Sequence, residues 1–456
     1  MRRPGTDRCS ADAVPADARR ALCHDASSLT LAPSHTMLSV RSLTALALSL
    51  LLLAPARAAD ATSTAPPDRG NGIAIAIGGA LKYDNTEVWQ RIVDLAGGRG
   101  ARFAVFGTAA GNPEKSAAAI VEALNRHGAV AEHVPVAQRI KGSDWRAAAR
   151  DPALVAKVRA ARGIYFAGGA QERITQALYD EAGRPTPVLE AIWAVFREGG
   201  VVAGSSAGAA IMSTTMFRDA QDVISVLKYG LAEGREIDRG LGFVGPDVFV
   251  DQHFLKRGRL GRMLPLMQQK GYRLGVGVDE NSAAIFRGDA VEVIGYKGAL
   301  VADLSEATSD PALGEFNIRR VLLSYLDHGD RYDLKTRRAT PSPEKARDLR
   351  IDPNAPGFSP YFTADAFYPD VLGDSTVANL MANLIDNKQK EVVGLAFGAP
   401  DSPKPDLGFE FRFSKLDNSL GWYTGAFGGE DYSVYNIRLD VTPVRLARPL
   451  YTPLIR

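Results

Sequence analysis

Cysteine is almost missing from this chain, and its scarcity removes several kinds of chemistry. The 456 residues include two cysteines, Cys9 and Cys23, and both precede the point at which we expect a leader to be cleaved. The mature protein would therefore have no thiol. It could form no disulfide, no cysteine metal site and no cysteine nucleophile.

A strong charge of one sign is also missing. The sequence has 54 basic and 52 acidic residues, and the resulting formal net charge of +2 gives no reason to expect a nucleic acid or a membrane surface as a partner. The six histidines form no His-x-x-x-His pair, and the chain has no phosphate-binding loop. We therefore expect no metal ion and no organic cofactor.

The sequence has no hydrophobic run of membrane-spanning length, and its main apolar run is a short one near the N-terminus. Residues 43–54 are apolar, with Arg41 before them and the small-residue triplet Ala56-Arg57-Ala58 after them. The run is too short for a transmembrane helix but is typical of a secretory signal. We predict that the signal begins at Met37, that residues 1–36 are an upstream start-site artefact, and that cleavage after Ala58 gives a secreted protein without membrane attachment.

Beyond the leader, continuous apolar runs alternate with stretches of helical spacing. Residues 72–77, 102–106 and 163–166 are apolar runs of strand length, and residues 188–196 carry apolar side chains at helical intervals. Strands without polar alternation, separated by helices, are typical of a parallel sheet covered on both faces. We predict an α/β fold with a doubly wound, mostly parallel sheet over residues 70–304.

The pattern changes towards the C-terminus. Residues 290–294 and 299–304 are predicted to form the two strands of a hairpin. Residues 337–370 are rich in Pro, Asp and Arg and are predicted to be a long surface loop, and residues 376–387 an amphipathic helix. Residues 305–456 therefore form a C-terminal, mostly β extension, whose function as a dimer element, a docking region or a structural addition stays open.

The most informative motif lies in the middle of the chain. A short apolar run enters Gly204-Ser205-Ser206-Ala207-Gly208, and a small-residue helix start follows. This Gly-x-Ser-x-Gly pattern is typical of a nucleophile elbow, in which a tight turn between strand and helix projects the serine hydroxyl. Ser206 is therefore a candidate nucleophile, although the same pattern also occurs in ordinary glycine-rich turns.

A nucleophilic serine requires a general base and a group that orients the base. His253 is the best candidate base, because it follows the apolar strand at 248–250 and so lies near a strand end, as Ser206 does. The acid is then Asp279 or Glu280, which follow the strand at 274–278. The other histidines after the leader are His127, His133 and His328.

The chain order Ser, His, acid differs from the Ser, acid, His order of the common α/β-hydrolase esterases. An esterase-like arrangement would require His328 as the base. This alternative remains open at the level of the sequence.

These residues together resemble the cyanophycinase and dipeptidase E family of serine peptidases over about residues 72–304. The motifs that carry the resemblance are Ile77-Gly78-Gly79-Ala80, Phe166-Ala167-Gly168-Gly169-Ala170-Gln171, Gly204-Ser205-Ser206-Ala207-Gly208-Ala209, Asp251-Gln252-His253-Phe254 and Gly277-Val278-Asp279-Glu280-Asn281. The arginines that follow His253 look specifically like those of the cyanophycinase subgroup, which includes secreted enzymes. The scaffold that the resemblance implies is that of the class I glutamine amidotransferases.

The resemblance also implies roles for individual residues. Ser206 would be the nucleophile, His253 the base and Glu280 its orienting acid, while the backbone N–H groups of Gly169 and Ala207 would form the oxyanion hole. The implied substrate-binding residues are Gln171, Asp251, Gln252, Arg257, Arg259 and Arg262. Where the family usually has Gly-Gly-Asp-Gln, this chain has Ala170, so a carboxylate near the oxyanion loop is missing.

The implied substrate is cyanophycin, a polymer with an aspartate backbone and an arginine on each side-chain carboxyl, and the implied product is β-aspartyl-arginine. Arg259 and Arg262 are three residues apart and would share a helix face that binds carboxylates, while Asp251 would pair with a substrate guanidinium. The structural alternative is a basic helix face with surface salt bridges, capped by Asp251. Functional alternatives are a peptidase for short aspartyl peptides and an inactive binding protein.

Overall fold

The computed structural model describes residues 69–219, 222–345, 349–424 and 432–454. The predicted leader, its cleavage point at Ala58 and both cysteines lie outside these ranges. Over the described residues, no helix is both long enough and apolar enough to cross a bilayer.

The strands and helices alternate in the first two thirds of the chain and give way to strands in the last third. The strands are β1 (Ile73–Ile77), β2 (Arg102–Phe106), β3 (Val130–His133), β4 (Gly163–Phe166), β5 (Val201–Ser205), β6 (Thr215–Phe217), β7 (Ile237–Arg239), β8 (Val248–Gln252), β9 (Leu274–Val278), β10 (Ser282–Arg287), β11 (Ala290–Gly295), β12 (Ala299–Asp303), β13 (Ile318–Leu326), β14 (Arg331–Asp333), β15 (Arg338–Thr340), β16 (Arg350–Ile351), β17 (Phe367–Tyr368), β18 (Glu391–Phe397), β19 (Leu407–Tyr423) and β20 (Tyr432–Arg445). The helices are α1 (Thr86–Leu95), α2 (Pro113–Arg126), α3 (Trp145–Ala148), α4 (Pro152–Arg159), α5 (Gln171–Leu178), α6 (Pro187–Arg197), α7 (Ala207–Ala210), α8 (Val223–Tyr229), α9 (Leu260–Lys270) and α10 (Thr376–Ile385), with a 3-10 turn at Leu255–Arg257.

The first sheet is mixed, with the order β15-β14-β11-β10-β1-β5-β4-β2-β3. Strands β1 to β5 of this sheet are parallel, whereas β10, β11, β14 and β15 extend it as antiparallel strands. The predicted α/β class with a mostly β C-terminal part is confirmed. Helices α1 to α6 lie in the connections between its parallel strands, since each parallel connection requires a crossover.

Strand β1 shows how the sequence covers both faces of this sheet. Its sequence Ile-Ala-Ile-Ala-Ile is buried throughout. The isoleucines pack with Val88 and Trp89 of α1 on one face, and the alanines face the cluster that contains Trp193 of α6. Because neighbouring side chains point to opposite faces, the large residues fill one layer and the small residues admit a helix in the other.

The second sheet has the order β17-β18-β19-β20-β13-β12-β9-β8. Strands β8 and β9 are parallel neighbours, so the segments that contain the candidate base and acid end at the same edge. Strand β12 pairs with β13, and the sheet therefore continues across residue 304 into the C-terminal part. Helix α10 packs its apolar face, including Leu380 and Met381, into the core of this sheet.

The predicted hairpin of residues 290–294 and 299–304 is wrong. Strand β11 pairs with β10 and β14 in the first sheet, whereas β12 pairs with β9 and β13 in the second. The chain changes sheets at the turn after Gly295, which has a positive φ of 110°. Apolar periodicity locates a strand but does not say which neighbour it pairs with, so proximity along the chain was a poor guide here.

The stretch at 337–370 was predicted to be a long loop. Its described residues are largely irregular, with three short strands, β15, β16 and β17. The last two of these attach to β19 and β18 of the second sheet. A two-residue strand leaves no periodic signal in the sequence, because its hydrogen bonds depend on the partner strand.

Candidate active site

Ser206 occupies a strained turn between β5 and α7. Its backbone has φ 55° and ψ −108°, a conformation that costs a non-glycine residue energy and is often found at functional sites. A side chain at Gly204 would place its Cβ 2.2 Å from the carbonyl oxygen of Gly208. The glycines of the elbow are therefore required by the close approach of the turn to itself.

The structure brings Ser206, His253 and Glu280 into one hydrogen-bonded chain. The Oγ of Ser206 lies 2.8 Å from Nε2 of His253, and Nδ1 of His253 lies 2.6 Å from Oε1 of Glu280. The three residues follow β5, β8 and β9, so each stands at the carboxyl end of a strand. This is the geometry that a serine nucleophile, its base and an orienting acid require.

A glycine pair at the end of β1 gives the histidine its space. A Cβ at Gly79, where φ is 105°, would lie 2.3 Å from Cε1 of His253, and a Cβ at Gly78 would lie 2.0 Å from the carbonyl oxygen of Asp279. The backbone N–H of His253 donates to the carbonyl of Gly78 at 2.6 Å. The sequence contained these glycines in a motif, but without the fold no role could be given to them.

The imidazole is held in the form that can accept a proton. Burial lowers the pKa of His253 and outweighs the opposing effect of the hydrogen bond that its Nδ1 donates to Glu280, and the nearby Arg257 and Arg259 lower the pKa further. A neutral histidine at neutral pH is able to take the proton of Ser206. Glu280 then offers a negative charge beside the imidazolium that results.

The turn after β4 lies against the serine. A Cβ at Gly168 would come within 3.1 Å of the Cβ of Ser206, and one at Gly169, where φ is 144°, would lie 2.1 Å from the carbonyl oxygen of Ala109. The backbone of this turn therefore reaches Ser206 because it has no side chains there. The oxyanion-hole role of Gly169 and Ala207 stays a prediction.

Ala170, the departure from the family pattern, is the N-cap residue of α5, and this helix begins without a side-chain cap hydrogen bond. An aspartate in this position would be a favourable cap, typically worth about 1 kcal/mol relative to alanine. The substitution therefore acts on the start of α5 and leaves the backbone donors of the preceding turn in place.

Asp251 and Arg262 form an ion pair inside the protein. Nε of Arg262 donates to Oδ2 of Asp251 at 2.8 Å, and Nη2 donates to Oδ1 at 2.6 Å. Both residues are 1% exposed, and the guanidinium also lies 4.0 Å from the ring centroid of Phe217. Substrate contacts were predicted for the carboxylate of Asp251 and the guanidinium of Arg262. In the structure these two groups bind each other.

The side chains of three other predicted pocket residues, Arg259, Gln252 and Gln171, also form hydrogen bonds within the protein. Nη1 of Arg259 donates to the backbone oxygen and to Oε1 of Gln252, each at 2.6 Å, and burial lowers the pKa of Arg259 to about 9. Nε2 of Gln171 donates to the carbonyls of Phe217 and Arg218. Arg257 differs from these residues because it is exposed.

His328, the base of the esterase-like alternative, lies in different surroundings. Its Nε2 is 3.3 Å from Oε1 of Glu87, and its Nδ1 accepts a hydrogen bond from the backbone N–H of Gly295 at 3.3 Å. Both ring nitrogens of His328 therefore contact groups other than Ser206. The hydroxyl of Ser206 is instead paired with His253.

Asp279 and Glu280 are the two acids that the strand end offers, and the resemblance implies Glu280; in the structure the two carboxylates bind different groups. Asp279 is buried, and its Oδ1 accepts from the backbone N–H of Leu255 at 2.7 Å while its Oδ2 accepts from the hydroxyl of Tyr325 at 3.2 Å. Burial raises the pKa of Asp279 to about 6. Neighbouring residues point in opposite directions, so Glu280 alone reaches the histidine.

Replacement of Asp279 by asparagine is expected to change the pH dependence of stability. A carboxyl whose pKa rises from 3.8 to about 6 on folding stabilises the folded state below pH 4, and this contribution is lost as pH rises through 6. Two pKa units correspond to about 3 kcal/mol. In denaturant unfolding, the stability of Asp279→Asn relative to the wild type should rise by up to about 3 kcal/mol between pH 4 and pH 7. A difference that is the same at both pH values would contradict this expectation.

The fold and the Ser–His–Glu arrangement define a serine-type peptidase. A family model described as peptidase family S51 matches residues 74–294. A cyanophycinase from Geminocystis herdmanii (strain PCC 6308) is 33% identical over 278 residues, which cover 58% of this chain and 93% of that protein. This chain belongs to peptidase family S51.

Two further matches are a second cyanophycinase and a solved peptidase structure. A cyanophycinase from Synechococcus elongatus is 30% identical over 280 residues, covering 58% of this chain and 80% of that protein. A solved structure of a peptidase from an acI-B1 Actinobacterium is 21% identical with a TM-score of 0.42, and the match covers 57% of this chain and 96% of that one.

Proposed function

We propose that this protein is an exported peptidase that hydrolyses cyanophycin to β-aspartyl-arginine dipeptides through an acyl-enzyme on Ser206. The observation that carries the proposal is the 2.8 Å contact between Oγ of Ser206 and Nε2 of His253, with Glu280 on the other ring nitrogen. The name cyanophycinase, borne by relatives that are 30–33% identical, supports the substrate.

The proposed reaction has two steps. Oγ of Ser206 attacks a backbone carbonyl of the aspartate chain and its proton passes to Nε2 of His253, while Glu280 stabilises the imidazolium. The backbone N–H groups of Gly169 and Ala207 bind the oxyanion of the tetrahedral intermediate. The leaving amine takes the proton from His253 as the peptide bond breaks. Water, deprotonated by the same histidine, then attacks the acyl carbon, and His253 returns the proton to Oγ of Ser206 as the ester bond breaks.

We propose that Arg257 contacts the substrate directly. It is the exposed member of the predicted pocket set, and its charge is close enough to His253 to lower the pKa of that residue. A carboxylate of the substrate would provide the opposite charge. The predicted roles of Gln171, Asp251, Gln252, Arg259 and Arg262 in lining the pocket are retained as proposals, with their side chains bound to one another or to the backbone.

The experiment is incubation of the exported protein with insoluble cyanophycin, followed by mass spectrometry of the soluble products. We expect β-aspartyl-arginine from the wild type and none from a matched Ser206→Ala preparation. Export is proposed from the leader pattern, and the first residue of the same preparation is expected to be Ala59.

Two other outcomes of this experiment would favour the alternative functions. Cleavage of aspartyl dipeptides without release from the polymer would favour a peptidase for short peptides. Polymer binding without cleavage of either substrate would favour an inactive binding protein and would contradict the proposed function.

A further inference from the structure

The backbone that follows His253 is held by residues outside the segment that the family model matches. That segment ends at residue 294. The carbonyl of Leu255, two residues after the histidine, accepts a hydrogen bond from the backbone N–H of Ser375 at 3.0 Å. A residue at the start of α10 therefore contacts the chain immediately beside the candidate base.

A second contact reaches the same residue through a side chain. The hydroxyl of Tyr325, in β13, donates to Oδ2 of Asp279 at 3.2 Å and accepts from the backbone N–H of Gly298 at 3.0 Å. The other oxygen of Asp279 accepts from the N–H of Leu255 at 2.7 Å. The N–H and the C=O of Leu255 are thus both fixed by groups that depend on residues beyond 304.

A third set of contacts joins residues 372–375 to the segment that follows His253. Gly258 has φ 58°, and a Cβ there would lie 2.1 Å from the carbonyl oxygen of Leu372. Lys256 forms an ion pair with Asp374. The segment 372–375 therefore lies directly against the turn that leads away from His253.

The histidine needs such support because its backbone is strained. His253 has φ 46°, and a non-glycine residue remains in this region only where its surroundings fix it. A small displacement of a reacting group is costly, since a misplacement of about 1 Å reduces rates by about a hundredfold.

We propose that the C-terminal extension is a working part of the catalytic unit, with Tyr325 and the segment 372–375 as positioning elements for His253. Tyr325 acts through Asp279 and Leu255, and residues 372–375 act on Leu255 and Gly258. The inference rests on the proposed pairing of Ser206 with His253. It goes beyond that function by assigning a positioning role to residues outside the segment that the family model matches.

The first test is Tyr325→Phe, which removes the hydroxyl and retains the ring. We expect kcat on cyanophycin to fall about tenfold with KM unchanged, and labelling of Ser206 by a fluorophosphonate to slow by a similar factor. The matched control is Tyr332→Phe, since Tyr332 is a buried tyrosine of β14 in the first sheet. Its kcat should stay within twofold of the wild type.

Three further variants keep the test independent of folding defects in Tyr325→Phe. Asp374→Lys replaces the partially exposed partner of Lys256 by a like charge, and should lower kcat at least threefold without a change in KM. Asp279→Asn keeps an oxygen that can accept from Leu255, so it should be at least threefold more active than Asp279→Ala.

The outcomes separate this inference from the proposed function. Wild-type protein that is not labelled, or is labelled equally well after His253→Ala, would contradict the Ser206–His253 pairing itself. Labelling that depends on His253 but is unchanged in Tyr325→Phe and Asp374→Lys would overturn the positioning role. A lower melting temperature with unchanged kcat and labelling would also overturn it, because the contacts would then be merely structural.

Discussion

Replacement of Ser206 by alanine is expected to lower kcat by roughly five to six orders of magnitude. Oγ of Ser206 is the atom that would form the acyl bond, and it lies 2.8 Å from its base. His253→Ala should cost about as much, because nucleophile and base act as a unit. The double variant should be no slower than either single variant, which is a sharper expectation than two separate losses.

Initial rates on cyanophycin and the rate of fluorophosphonate labelling measure this effect. The stability of Ser206→Ala should remain within about 1 kcal/mol of the wild type, since one hydrogen bond is lost. His328→Ala is the matched control, because His328 contacts Glu87 and Gly295. An active His253→Ala together with an inactive His328→Ala would instead support the esterase-like arrangement.

Arg262→Leu is expected to destabilise the fold by about 3–5 kcal/mol. It leaves the carboxylate of Asp251 buried without the two hydrogen bonds that it now accepts from Arg262. The carboxylate would keep the backbone N–H of Gln252 at 2.9 Å and the guanidinium of Arg259 at 3.6 Å. These contacts do not replace two charge-assisted hydrogen bonds, so the penalty exceeds the net value of the pair itself. Denaturant unfolding at pH 7 measures the loss.

Two controls show whether burial is the cause. Arg126→Leu breaks the exposed pair with Glu122 and should cost no more than about 1 kcal/mol. Asp251→Asn combined with Arg262→Leu should recover part of the lost stability, because it removes the buried carboxylate, while Arg259, 3.6 Å from Asp251, keeps its two hydrogen bonds to Gln252. Unchanged stability of Arg262→Leu with a higher KM on the polymer would show a substrate contact and contradict the structural role.

The elbow and the strand ends show which parts of the site the sequence predicts well. Glycine spacing around Ser206 predicts a tight turn that side chains would block, and the structure has the strained turn there. The apolar runs before His253 and Glu280 predict strands, and the residues that follow buried parallel strands meet at one edge. These signals are local, so a sequence pattern is sufficient to place them.

The choice of the orienting acid shows what local sequence patterns cannot predict. Asp279 and Glu280 are adjacent and chemically alike, and the pattern left them as alternatives before the resemblance was used. The register between β8 and β9 and the hydroxyl of Tyr325 on Asp279 separate them. Tyr325 is 46 residues away along the chain, and no spacing rule connects the two positions.

By itself, the sequence determined the α/β class, the strained serine turn and the strand ends where His253 and Glu280 lie. These follow from side-chain size, apolar periodicity and glycine conformational freedom, all of which act over a few residues. The tertiary structure alone decided that β11 and β12 enter different sheets, that Arg262 binds Asp251, and that the C-terminal extension encloses Leu255. A buried charge or a strand edge must find a partner once water is excluded from it. Which distant segment supplies that partner depends on how the whole chain packs.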